Sequence, residues 1–147
     1  GTSASAQAIS RNSHFPLQIS ALTASGPGTE MQPYEAAAPV IAHVVSGSSV
    51  GPTGGSPGNV IMDHITPMNG RWSAEIAHAV VGMKRAEENE IVKQLLARYE
   101  DSLHNAPKGL KFWECFDMKT LKPFKEHEEL YDRARQELAS YGVQFKF

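Results

Sequence analysis

The chain has 147 residues, with 14 Lys and Arg against 16 Asp and Glu, a formal net charge of -2 and 41% hydrophobic residues, a length that suits one ordinary domain and an apolar fraction that excludes intrinsic disorder. No run approaches the about 18 to 20 apolar residues of a membrane-spanning helix, Gly1 to Ser10 lacks the basic start and apolar core of a signal peptide, and the single cysteine, Cys115, excludes an internal disulfide or a CxxC pair, so a cytoplasmic setting is expected. Charge is divided along the chain: up to Met62 only Arg11, Glu30 and Glu35 are formally charged, which reads as the inside of something larger than a free-standing domain.

In chain order, Gly1 to Ser13 reads weakly as the tail of a helix. Phe15 to Thr23 reads as a short strand, apolar or small on both faces and therefore a buried parallel one. Ser25-Gly26-Pro27-Gly28 breaks the chain, and Thr29 is expected to cap a buried helix reaching about Ser46, kinked at Pro39 and closed by Gly47. A brief strand over Ser48 to Val50 completes strand, helix, strand, the order that builds a parallel sheet. Gly51 to Gly58 is expected to be a mobile loop. Helical spacing then returns over Met68 to Met83 and Ala86 to His104, the second with Ile91, Leu95, Tyr99 and Leu103 on its inner stripe. A last helix, Phe124 to Ser140, opens after Pro123 and stops at Gly142. The chain divides into 1–67, strands with a buried helix and a glycine loop, and 68–147, a helical outer layer and extension of the same incomplete domain.

Most chemical motifs are weak. The glycine loop has neither the lysine and hydroxyl of a P-loop nor GxGxxG, so phosphate binding there is the lesser reading beside a flexible surface or active-site loop. Glu75 and His78 have the i, i+3 spacing of carboxylate metal bundles, but only one copy occurs and no metal site is expected. His43 lies on the apolar helix and reads as a core residue. Cys115, between Glu114 and Phe116, is expected to be an inert packed thiol. Acidic residues alternate with basic ones on the later helices, giving no footprint for nucleic acid. In parallel α/β folds chemistry sits at the C-terminal ends of strands, which points to Ser20–Gly28 and to Gly51–Gly58.

From Ala106 onward a longer pattern stands out: Ala106-Pro107, Gly109, Phe112, Glu114-Cys115-Phe116-Asp117, Lys119-Thr120, Pro123, Tyr131-Asp132, Ala134-Arg135, Leu138 and Gly142. Upstream lie Gly26-Pro27, Thr29-Glu30-Met31 and Glu35-Ala36, with Tyr99-Glu100 between. In these residues the chain resembles the monomethylamine:corrinoid methyltransferases. The resemblance implies an α/β fold, the last two strands of a TIM (β/α)8 barrel followed by a helical extension. It implies a cytoplasmic enzyme that moves a methyl group from a methylamine or a related methylated compound to the Co(I) corrinoid of a partner protein. On that reading the corrinoid (cobalamin) is carried by the partner and not by this chain, the family's pyrrolysine belongs to an upstream strand, and the further partners are the N-terminal part of the barrel and copies of the same chain.

The same resemblance places Ser20 and Leu22 in the substrate pocket, and Gly26, Pro27, Gly28, Thr29 and Glu30 at its rim or at the corrinoid-protein interface. Ser20-Ala21-Leu22 stands where the methylamine enzymes carry Gln-Tyr-Tyr, and Gly28 where they carry a cysteine. No residue here is marked as the proton donor. Since a barrel takes about 250 residues, the chain by itself is expected to be inactive. The alternative from the same residues is a non-catalytic barrel piece acting as an interaction subunit.

Overall fold

A computed structural model describes residues 2–49, 54, 55, 57 and 60–146. The element order is α1 (Thr2–Asn12), β1 (Ala21–Leu22), α2 (Gln32–Val45), β2 (Gly54–Gly55), α3 (Pro67–Ala79), α4 (Arg85–Tyr99), a 3-10 turn over Glu100–Asn105, α5 (Phe112–Cys115) and α6 (Lys125–Ser140). β1 and β2 pair in parallel, Ala21 opposite Gly54 and Leu22 opposite Gly55, with α2 as the connection between them. A parallel pair needs such a crossover because its second strand must start again at the same end.

The two strands are shorter than, or displaced from, the sequence expectation. Of Phe15 to Thr23, Ala21–Leu22 forms a strand and Gln18 an isolated bridge, and Pro16, at the start, has no N–H to offer a ladder. Leu17 still reaches across, its carbonyl accepting from the Ser49 N–H at 2.9 Å and the Ser48 hydroxyl at 3.0 Å. The expected strand at Ser48 to Val50 is corrected: Ser48 and Ser49 are not strand, Val50 lies outside the described residues, and the partner of β1 is Gly54–Gly55. A glycine pair can serve there because pairing uses only backbone, and α3 lies against β2. Of the loop expected over 51–58, only Gly54, Gly55 and Pro57 fall within the described residues.

α2 is the axis of the core, and ten of its residues, from Gln32 to His43, are buried. It begins three residues later than Thr29, because the Thr29 hydroxyl donates to the Gly26 carbonyl at 2.7 Å and holds a turn, while Gly28 has φ +75°. Its other end closes as expected on Gly47, at φ +99°, with Gly47 N–H on the Val44 carbonyl and Ser48 N–H on the His43 carbonyl. Those two bonds satisfy carbonyls that the helix end leaves open. α6 ends in the same way at Gly142, with Val143 N–H on the Leu138 carbonyl.

α3, α4 and α6 pack against α2. Val40, Ile41, Ile76, Leu95 and Leu138 are fully buried, each contributing about 1.5 to 3 kcal/mol of apolar burial. Trp72 fills the centre, stacked on Phe145, edge-on to Tyr131, and donating its indole N–H to the Pro33 carbonyl at 2.8 Å. Leu103, expected on the inner stripe of α4, is instead 38% exposed, because the helix tightens into the 3-10 turn after Tyr99 and the 3.6-residue register ends there.

Buried polar groups are tied across elements. Tyr131 donates to the Gln32 side chain at 2.8 Å and accepts from Asn69 at 3.2 Å, while Asn69 in turn accepts from the Thr66 N–H at 2.7 Å. Glu137 on α6 accepts from Tyr34 of α2 and from Arg98 of α4, and its other oxygen accepts from Tyr141. Burial pulls the Glu137 carboxyl upward, but the Tyr141 and Tyr34 hydroxyls with the Arg98 charge hold it below the usual carboxylate range.

Candidate functional site

The rim follows from how the loop after β1 is held. Ala21 and Thr23 are buried while Ser20 and Leu22 are exposed, the alternation a pleated strand imposes. Past Thr23 the chain would unravel without a partner, and Glu35 supplies one from the first turn of α2. Its carboxylate accepts the Ala24 N–H at 2.6 Å, the Ser25 N–H at 2.9 Å and the Ser25 hydroxyl. Hydrogen bonds to an ionised acceptor are about twice as strong as neutral ones, so Glu35 clamps strand end to helix start.

The second support is a backbone crossing. Gly26 N–H donates to the Pro107 carbonyl at 3.0 Å, and Leu110 N–H to the Pro27 carbonyl at 2.8 Å. Between these bonds the chains touch: a Cβ on Gly26 would lie 1.8 Å from the Lys108 carbonyl oxygen, and one on Gly109, at φ +76°, would lie 2.4 Å from the Gly26 carbonyl carbon. Phe112 N–H adds a bond to the Asp63 carbonyl at 2.8 Å. The stretch 107–112 therefore lies over the loop that leaves the C-terminal end of β1 and over the segment that follows β2.

These supports divide the expected site residues. Ser20 and Leu22 share the exposed face of β1, and Leu22 opens on a shallow cavity of about 310 Å³ with Glu35, Pro39, His43 and Tyr99 among its walls. Gly26 and Pro27 are buried under the crossing, where they support the rim with backbone. Gly28, Thr29 and Glu30 reach the surface; Gly28 lines a separate recess of about 140 Å³ with Leu110, Glu114, Phe124 and His127. Glu30 is paired with Arg133 of α6 at 2.6 Å. Leu22 and Gly28 thus line different cavities.

Titratable groups near the rim are pushed toward their neutral forms. Tyr99 is raised to about 12, first by burial and then by the charges of Glu35 and Glu100. Cys115 is buried and raised to about 11 by burial, with a contribution from Glu114, so at neutral pH it is a packed thiol and not a nucleophile. Burial lowers His43 and His127. Because the Thr66 hydroxyl donates to Asn69, it accepts from Nε2–H of His127, and Nδ1 of that ring has no partner among the described residues. Glu75 pairs with Arg71 at 2.7 Å and with Arg135 at 3.2 Å. Among the described residues no group of three His, Cys, Asp or Glu is placed to hold a metal.

Glu35 and the Gly26/Gly109 crossing are the site features that reading along the chain misses. The signal was present, since all three residues belong to the pattern that carries the resemblance, but only folding reveals that they meet.

A family model described as monomethylamine methyltransferase MtmB matches residues 2–143. The chain belongs to that family. Monomethylamine methyltransferase MtmB2 of Methanosarcina acetivorans is 36% identical over 137 residues, which is 93% of this chain and 28% of that protein. MtmB of Methanosarcina mazei is 35% identical over the same shares. The crystal structure of the Methanosarcina barkeri monomethylamine methyltransferase superposes with a TM-score of 0.87 at 33% identity, covering 92% of this chain and 30% of that one, and so does the hydroxylamine complex of MtmB. This MtmB-family chain thus spans less than a third of the length of the curated relatives it matches. Its family is one of methyltransferases, and its fold is that of the corresponding part of MtmB.

Proposed function

We propose that the chain is the C-terminal segment of a corrinoid-dependent methyltransferase barrel. β1 belongs to the seventh strand, α2 is the seventh helix, β2 the eighth strand, and α3 to α6 are the outer layer and C-terminal extension, with the division falling near residues 67 and 68. The observation that carries this reading is the parallel register of Ala21 with Gly54 and Leu22 with Gly55, joined by the buried α2. Such a unit leaves the second edge of β1 for a strand supplied by the rest of the barrel, and the face of Ser20 and Leu22 for its interior. The partners are that upstream part, a corrinoid protein and further copies of the assembled protein, in the cytoplasm.

The reaction takes a methyl group from a methylamine or a related methylated compound. The corrinoid of the partner supplies a nucleophilic Co(I) that accepts it, and this chain's residues position the donor and shape the entrance. Ser20 and Leu22 face the pocket, and Gly26 to Glu30 form the rim on which the partner closes, held by Glu35. Pocket residues that are a hydroxymethyl and an isobutyl group do not offer the amide and phenol of the Gln-Tyr-Tyr pattern, and each unpaired polar group on a donor costs about 1 to 3 kcal/mol. The substrate therefore carries fewer hydrogen-bonding groups on that side than methylammonium.

The test joins the chain to its upstream barrel and adds the reduced corrinoid protein of the same organism. Loss of the Co(I) absorbance on adding a methylated donor is the expected result, and the donor that gives it fastest names the substrate. Unchanged spectra with every methylamine and methylated thiol or glycine tried would overturn the reading.

A further inference from the structure

The stretch that crosses the rim continues into a surface of unusual composition. Between Lys108 and Lys125 lie five lysines, Lys108, Lys111, Lys119, Lys122 and Lys125, against two acidic residues. Both carboxylates are turned onto backbone: Glu114 accepts the Lys111 N–H at 2.7 Å and Asp117 the Lys119 N–H at 2.8 Å. Lys125 is paired with Glu129 at 3.0 Å, at the acidic start of α6, whereas Lys108, Lys119 and Lys122 have no ion pair among the described residues. A positive charge in excess therefore faces solvent.

Large apolar side chains accompany it. Leu110, Trp113, Met118, Leu121 and Phe124 are each between 41% and 65% exposed. Isolated exposed apolar residues are ordinary, but five within 15 residues of sequence mark a contact surface. They are held in place. Phe116 bridges Pro123, Phe124 N–H donates to the Cys115 carbonyl at 2.8 Å, and Leu121 stands at φ +55° with its N–H on the Asp117 carbonyl at 2.7 Å. Leucine seldom adopts that left-handed region, and the hydrogen-bonded turn that imposes it leaves the side chain outward. Lys111 lies over the Trp113 ring at 5.1 Å, so charge and aromatic surface are offered together.

We infer that residues 108–125 form the dock for a protein partner whose facing surface is acidic around an apolar recess. The charge on this side selects the sign of the partner, and Trp113 with Leu121 supplies the anchors that such interfaces use. Its place is set by the crossing at Gly26 and Gly109, which fastens it to the loops at the C-terminal ends of both strands. The inference rests on the proposed function in one respect: there, the partner that comes to this rim is the corrinoid protein.

The experiment measures binding of the assembled protein to the corrinoid protein of its organism at low and high salt. The triple variant Lys111→Glu, Lys119→Glu, Lys122→Glu is expected to bind about tenfold or more weakly at low salt, and Trp113→Ala about thirtyfold more weakly. A control, Lys84→Glu, Arg85→Glu, Lys93→Glu, makes the same change in net charge on exposed positions of α4 and the residue before it, and is expected to stay within about twofold. Thermal melts matching the wild type exclude misfolding as the cause. Equal binding by the platform triple and the control triple overturns the dock and leaves the proposed function standing. Absence of binding by the wild type itself overturns both. Loss of self-association in place of partner binding assigns the surface to a second copy of the chain and likewise overturns the dock.

Discussion

Glu35 carries more of the rim than any other side chain, since one carboxylate accepts three hydrogens of the Ala24-Ser25 loop. Glu35→Ala leaves the buried Ser25 N–H and hydroxyl unsatisfied, and about 2 to 4 kcal/mol of stability is expected to go with them. Glu35→Gln is expected to be nearly as harmful, because an amide NH2 would face donors. The midpoint of urea unfolding measures both. A second residue-scale effect concerns His43 and His127, whose affinity for protons burial lowers from the usual 6.5. The folded state binds fewer protons than the unfolded state once pH falls below 6.5, so stability is full above that value and is lost as pH falls toward the depressed folded values. The melting temperature is expected to drop on acidification below pH 6.5, and the slope to flatten in a His43→Gln, His127→Gln variant.

At the scale of elements, the fold depends on backbones that approach without side chains. Gly26 and Gly109 meet where 24–28 crosses 107–110, and no rotamer relieves a Cβ placed 1.8 Å from a carbonyl oxygen. Gly26→Ala is therefore expected to detach the 107–112 stretch from the rim, seen as faster amide exchange at position 26 and at Leu110 than in the wild type, with a stability loss of about 2 kcal/mol or more. By contrast, the crowding at Gly47 comes from the Ser10 side chain at 2.5 Å, a group that can move. The three-way junction of Tyr34, Arg98 and Tyr141 on Glu137 fixes α2, α4 and α6 to one another, and Arg98 adds a contact over the Tyr34 ring at 5.0 Å. It is a structural knot at the surface of the core and lies apart from the rim.

For the whole molecule, two facts pull in opposite directions. One hydrophobic core links Ala21 of β1 to Val143 after α6, so the chain packs as one body. Yet the exposed face of β1 carries Leu22 at 48% exposure in a two-stranded sheet, and a pair of strands does not close a barrel. Leu22→Asp separates these facts. In the isolated chain it is expected to change stability by less than about 0.5 kcal/mol, since the side chain is half exposed. In the presence of the upstream barrel it is expected to abolish assembly, measured by co-purification of the two polypeptides, because a carboxylate would be buried unpaired. Full assembly of the Asp variant would place that face outside the barrel.

Elements that rest on local chemistry could be read along the chain. The alanine-rich run of α2, its glycine stop at Gly47, the amphipathic stripes of α3, α4 and α6, and the packed thiol of Cys115 were legible because periodicity, capping and burial preference act within a few residues. The family was legible for a similar reason: fixed spacings from Ala106 to Gly142 survive in the chain order. The partner of β1 emerged from the folded chain instead, since pairing at Gly54–Gly55 depends on backbone alone and glycine carries no side-chain pattern to announce it. The rim was hidden in the same way. Glu35 meets Ser25 across the start of a helix, and Gly26 meets Gly109 across more than half the chain, contacts that arise from the path of the backbone and leave no periodic mark in the order of residues.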